Sequence, residues 1–151
     1  MSGNQTTHAK PEGELMLRTV ARPKDTNTNL DVFGGWIMSQ MDLGGGILAA
    51  EIAQGRIVTV SVQEMSFLRP VKVGHVVGVY ARCLGVGNTS LKIEVEVWVK
   101  PFVADEPNIP LELVTEAVFT FVAIDHEGRP RPIPRDNNPR LDAFLSPKQA
   151  V

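Results

Sequence analysis

GWIMSQMDLGGGILAAEIA, running from Gly35 to Ala53, is the stretch of this 151-residue chain that decides the fold. Its apolar residues Ile37, Met41, Leu48 and Ile52 recur at helical spacing, with Met38 and Ile47 beside them. Only Asp42 and Glu51 carry charge, so the helix is expected to be buried on most of its sides. Gly44, Gly45 and Gly46 lie in its middle, and each glycine costs a helix about 1 kcal/mol relative to alanine. A helix tolerates that where another backbone comes very close. A curved sheet wrapped around it would impose such an approach.

Outward from this segment the pattern is strand. Gly13 to Val20 precedes it. Arg56 to Phe67, His75 to Leu84, Ser90 to Lys100 and Leu113 to Ile124 follow, alternating and rich in β-branched residues. In the Ser90 to Lys100 run, Leu91, Ile93, Val95, Val97 and Val99 share one face. Lys92, Glu94, Glu96 and Trp98 share the other, which is expected to be wet. Turn signals stand at Arg69-Pro70, Val73-Gly74, Gly85 to Asn88 and Pro107 to Pro110. The expected architecture is α+β: an antiparallel sheet wrapped around one long central helix, the hotdog arrangement. Residues 1–12 read as a disordered tail, 13–125 as the domain and 126–151 as a proline-rich arm. Pro130, Pro132, Pro134, Pro139 and Pro147 predict an extended, mobile arm without helix.

Composition narrows the function. A net charge of −2 gives no electrostatic case for nucleic-acid binding. A single cysteine, Cys83, allows neither an intrachain disulfide framework nor a cysteine zinc cluster, and it fits a cytosolic setting. The polar run from Met1 to Lys10 has no secretory h-region, and no apolar run is long enough to span a membrane. No metal site is expected, because His8, His75 and His126 are scattered.

The chemistry concentrates around Asp42. A carboxylate in an apolar helix is costly to hold unless it is paired or used. It reads either as a buried Asp bonded to a neighbour such as Ser39 or as a working acid–base group. Phe33-Gly34-Gly35-Trp36 opens the helix, and unpaired amides there suit a ligand oxygen. Asp42 follows Gly35 by seven residues, roughly 10 Å along the axis on nearly the same face. That spacing leaves room for a carbonyl at the amides and a water at the carboxylate. Asn27, in the loop Asp25 to Asn29, reads as a turn former or as a water-holding amide. Arg56, Arg69 and Lys72 are candidate phosphate contacts or simply solvated cations. Gly85 to Ser90 (GVGNTS) is an ordinary turn or an anion-binding one.

The run from Pro23 to Asp42 resembles the signature of the YciA-type acyl-CoA thioester hydrolases of the hotdog superfamily. The runs Val58-Thr59-Val60, Phe67-Leu68-Arg69-Pro70-Val71 with Val73-Gly74, and Glu94 to Val99 resemble later blocks in the same order. The resemblance implies hydrolysis of acyl-CoA to free acid and CoA without metal or organic cofactor. It implies Asp42 as general base or nucleophile. It implies Asn27 as a catalytic residue contributed across a dimer interface, and Gly34 or Gly35 as the amide that polarises the thioester. Gly85, Gly87, Asn88, Thr89 and Ser90 fall where such enzymes hold CoA. The implied assembly is a homo-oligomer, a dimer as the active unit in a trimer of dimers. A non-catalytic acyl-CoA-binding hotdog protein is the alternative, with a hotdog hydratase behind it.

Overall fold

The computed structural model describes residues 10–103 and 108–146. Strand β1 (Glu14–Val20) leads through a short 3-10 turn (Pro23–Asp25) to helix α1 (Gly34–Ala53). Then follow β2 (Ile57–Phe67), β3 (His75–Val86), β4 (Ser90–Pro101), β5 (Glu112–Ala123) and a short helix α2 (Pro139–Leu145). The five strands form one sheet in the order β1-β3-β4-β5-β2, and every pairing is antiparallel. The sheet curls around α1, which contacts all five strands. This is the hotdog arrangement. No helix among the described residues is long and apolar enough to cross a membrane.

The helical period explains the core. Ile37, Met41, Leu48 and Ile52 point at the sheet and are buried with Val79, Val95, Phe119 and Phe121. The glycines divide into two kinds. A Cβ on Gly44 would lie 2.5 Å from Val79 Cγ1, and one on Gly45 would lie 2.9 Å from Val95 Cγ2. Side chains of the sheet, rather than another backbone, therefore make the close approach. A Cβ on Gly46 would meet nothing nearer than Ile57 at 3.6 Å, so packing does not demand glycine there.

The helix is not buried on most sides. Gly35, Met38, Ser39, Asp42 and Leu43 are exposed, because the sheet ends at β2 and nothing among the described residues covers that flank.

Two further expectations change. Trp98 and Glu96 are only 1 % and 2 % exposed, although they lie on the outer face of the sheet. Trp98 Nε1 donates to Glu96 Oε2 at 2.7 Å, so the two polar groups are buried together. Gly78 stands opposite Trp98 in the ladder, and a Cβ there would lie 2.9 Å from the Tyr80 ring and 3.5 Å from Leu15.

The proline-rich segment is not a mobile arm over the residues described. Ile133, Asn138 and Leu141 are buried, and Pro139 is the first residue of α2. Proline suits that position because the amide it lacks would be unpaired anyway. Asn138 caps α2 through Oδ1, which accepts from Leu141 N, and Nδ2 donates to the carbonyls of Ile52 and Pro134. At the other terminus, Glu12 pairs with Arg82, which ties the end of the expected tail to β3. Residues 1–9 and 147–151 of the two expected tails lie outside the described residues.

Candidate active site

β2 turns back along α1 after Gly55 and becomes an edge of the sheet. Thr59 comes three residues into it, beside the middle of the helix. Its Oγ1 donates to Asp42 Oδ1 at 2.5 Å. The ladder with β5 shifts between Thr59 and Ser61, so a bulge at Val60 immediately follows the threonine. Bulges of this kind re-aim side chains next to functional sites. Ser39, the other neighbour considered for Asp42, donates instead to Trp36 O at 2.7 Å. The carboxylate thus has one oxygen fixed by a hydroxyl and faces an open flank.

The start of α1 lies on the same flank. Phe33 caps the helix without a side-chain hydrogen bond, and its carbonyl accepts from Trp36 N and Ile37 N. The amides of Gly34 and Gly35 have no acceptor among the described residues. A Cβ on Gly35 would lie 2.8 Å from Cε1 of the exposed Phe33 ring, so any larger residue there would displace that ring. Beside this helix start a cleft of about 320 Å³ is lined by Gly34, Ile37, Phe67 and Arg69 among others.

Asn27 is a turn former within its own chain. Its Oδ1 accepts from Asn29 N at 2.9 Å and Asp31 N at 3.2 Å, and a Thr26–Val32 bridge closes the loop. Its Nδ2 has no acceptor among the described residues, and the single chain makes no bond between it and Asp42 or Thr59.

The matching family model, described as the thioesterase superfamily, covers residues 31–101. The acyl-CoA thioester hydrolase YciA of Escherichia coli is 60% identical over 85% of this chain and 97% of its own. This chain belongs to the YciA-type acyl-CoA thioester hydrolases. A crystal structure of a hexameric broad-specificity acyl-coenzyme A thioesterase is 60% identical, with a TM-score of 0.83 over 90% of this chain and 91% of that one. An acyl-CoA hydrolase of Staphylococcus aureus, solved with butyryl coenzyme A, is 30% identical, with a TM-score of 0.70 over 78% and 70% of the two chains. That enzyme has also been solved with alanine replacing an asparagine, an aspartate and a threonine. Those three residues are spaced along its chain as Asn27, Asp42 and Thr59 are here.

In this thioester hydrolase the residues expected to hold CoA separate into two groups. Arg69 lies at the end of the sheet beside the start of α1, where it donates to Leu113 O and pairs with Glu112. Arg56 and the loop Gly85 to Ser90 lie at the opposite end, where α1 finishes. The loop is held there by the end of β5 and the residues that follow it. Ile133 N donates to Asn88 O, Arg135 Nη2 to Gly87 O, and Ala123 N to Thr89 O. Lys72 pairs with Asp31. Cys83 is half-buried, and burial pushes its thiol up, away from a nucleophile's range. Glu12, Glu94 and Glu96 are the one group of possible metal ligands found close together among the described residues. Arg82 already pairs with two of them.

Thr59 is the site residue that sequence reasoning missed. A threonine in RIVTVSV looks like any β-former. The available signal was that Thr59 interrupts a run of aliphatic residues, and that signal does not distinguish a site from a wet strand face.

Proposed function

We propose that this thioester hydrolase cleaves acyl-CoA to a carboxylic acid and CoA, with Asp42 as the general base. The observation that carries the assignment of roles is the Thr59–Asp42 hydrogen bond. It orients one carboxylate oxygen and leaves the other facing a flank that is open to solvent. The thioester oxygen accepts from the amides of Gly34 or Gly35, where no acceptor competes. Asp42 takes a proton from water as the water oxygen attacks the carbonyl carbon. The tetrahedral oxyanion collapses, the C–S bond breaks, and the thiolate of CoA leaves and takes up the proton. The step needs no metal or cofactor in this reading.

The active unit in this proposal is a dimer formed through β2. That strand is an 11-residue edge whose Val58, Val60 and Val62 are exposed, without the lysine or proline that commonly guards an edge. A second copy of β2 would extend the sheet, cover the open flank of α1 and bring the partner's loop toward Asp42. Asn27 of that loop then supplies its free Nδ2 to the attacking water. The spacing shared with the residues replaced in the Staphylococcus aureus enzyme supports this set. The hexameric form of the related thioesterases supports a trimer of such dimers, and the lone cysteine fits a cytosolic location.

The test is a panel of acyl-CoAs of graded chain length, followed with a thiol-reactive dye for the wild type and Asp42→Asn. The wild type is expected to release CoA. The variant, folded by circular dichroism, is expected to lose roughly a hundredfold or more in turnover. Near-full activity in Asp42→Asn would remove Asp42 as the base.

A further inference from the structure

The loop that carries Asn27 is tied to the segment between β2 and β3. Asp31 contacts Asn27 twice: its carbonyl accepts from Asn27 N at 2.8 Å, and its amide donates to Asn27 Oδ1 at 3.2 Å. Asn29 N donates to the same oxygen at 2.9 Å. With Oδ1 held by two amides, the plane of the Asn27 side chain is set, and Nδ2 lies on the far side of it. The place of Asp31 therefore decides where Nδ2 is aimed.

Asp31 is tied in turn to Lys72. The two residues stand opposite each other in an antiparallel bridge, which Val32 N closes by donating to Val71 O at 2.9 Å. Lys72 Nζ pairs with Asp31 Oδ1 across that bridge. Lys72 also opens the turn Lys72-Val73-Gly74-His75, in which His75 N donates to Lys72 O at 3.1 Å and Gly74 takes a φ of 87°. Glycine in the third place of such a turn supplies the positive φ it needs. His75 grips Lys72 a second time, because its Nδ1 accepts from Lys72 N at 3.1 Å. Burial lowers the pKa of His75, with Lys72 adding to the shift and Glu112 opposing it, which favours the neutral imidazole whose Nδ1 accepts. An exposed ion pair contributes little to stability by itself. Here it acts on a frame that backbone bonds already define, so its effect is on where the loop sits rather than on whether the chain folds.

We propose that Lys72 and Asp31 are positioning residues for the hydrolysis, their ion pair aiming the Asn27 amide while His75 holds Lys72 in place. The proposal rests on the reading of Asn27 as the residue that serves the attacking water, and it adds what fixes that residue. It also takes Lys72 out of the set of phosphate contacts. A phosphate contact acts on the binding of substrate, whereas a positioning residue acts on turnover.

The experiment measures kcat and KM for butyryl-CoA in the wild type, Lys72→Met, Asp31→Asn, His75→Leu, His75→Asn and Asn27→Ala. Two double variants join them: Asp31→Lys with Lys72→Asp, which exchanges the charges, and Lys72→Met with Asn27→Ala. Amide hydrogen exchange at Asn29 and Asp31 follows the loop independently of activity. Lys72→Met and Asp31→Asn are each expected to lower kcat about tenfold with KM nearly unchanged, and to speed exchange of both amides. The exchanged pair should recover most of the lost kcat. His75→Asn, whose side chain can still accept from Lys72 N, should keep what His75→Leu loses. In the Asn27→Ala background, Lys72→Met should cost no further turnover. An unchanged kcat in Lys72→Met overturns the proposal, as does a rise in KM alone or an equal loss in the Asn27→Ala background. Should Lys72→Met fail to fold, Asp31→Asn decides on the same criteria. If Asn27→Ala itself keeps full kcat, the reading of Asn27 fails, and the exchange rates still decide whether Lys72 and Asp31 fix the loop.

Discussion

The hydroxyl of Thr59 and the carboxylate of Asp42 meet at 2.5 Å, one from an edge strand and the other from the middle of the central helix. The threonine donates, so it fixes which carboxylate oxygen remains for water. Thr59→Val keeps the shape and removes the donor. Turnover of acyl-CoA is expected to fall roughly tenfold to a hundredfold, the worth of one hydrogen bond to an ionised group. Thr59→Ser should retain most of it. Steady-state kcat for the two variants checks this, and equal losses in both would show that the methyl group, not the hydroxyl, matters.

The β2 edge makes a second prediction. Val60 is 54 % exposed at the bulge of an otherwise unguarded edge strand. A lysine there places a charge where a second strand would pair. Val60→Lys is expected to shift the assembly toward monomer in analytical ultracentrifugation and to lose activity, although Asp42 and Thr59 are untouched. A monomer with full activity would show that the single chain carries a complete site.

The glycines of α1 separate packing from propensity. Gly44→Ala should destabilise the fold by about 1–3 kcal/mol, because its methyl would intrude on Val79. Gly46→Ala should be neutral or stabilising by up to about 1 kcal/mol, since the space is open and alanine favours helix. Urea denaturation midpoints for the two variants should move in opposite directions.

Asn138 joins both helices from a fully buried position. Asn138→Ala removes the α2 cap and leaves the carbonyls of Ile52 and Pro134 without their donor. A loss of about 2–3 kcal/mol is expected from the urea midpoint. A variant as stable as the wild type would mean that the segment after β5 adds little to the fold.

These residues also mark how far the sequence could be read. Helical periodicity and strand alternation are local signals, so Ile37, Met41, Leu48 and Ile52 could be assigned to one buried stripe and the four later strands placed in order. Asp42 stood out because charge in an apolar helix is anomalous on its face. Where alternation failed, at Glu96 and Trp98, the two polar groups satisfy each other and are buried together, a pairing that period-2 counting cannot see. The proline-rich segment misled because proline density was read as an average. One residue, Pro139 behind Asn138, is placed where a helix accepts proline.

Chain order and side-chain pattern alone determined the order of the five strands and the central helix, the helix-wrapping sheet and the lone acid within that helix, since each follows from periodicities of a few residues. Only the tertiary structure decided that β2 crosses to the far edge of the sheet and that Thr59 meets Asp42. Those are contacts between elements distant in sequence, and they depend on sheet order and register, which no local pattern encodes.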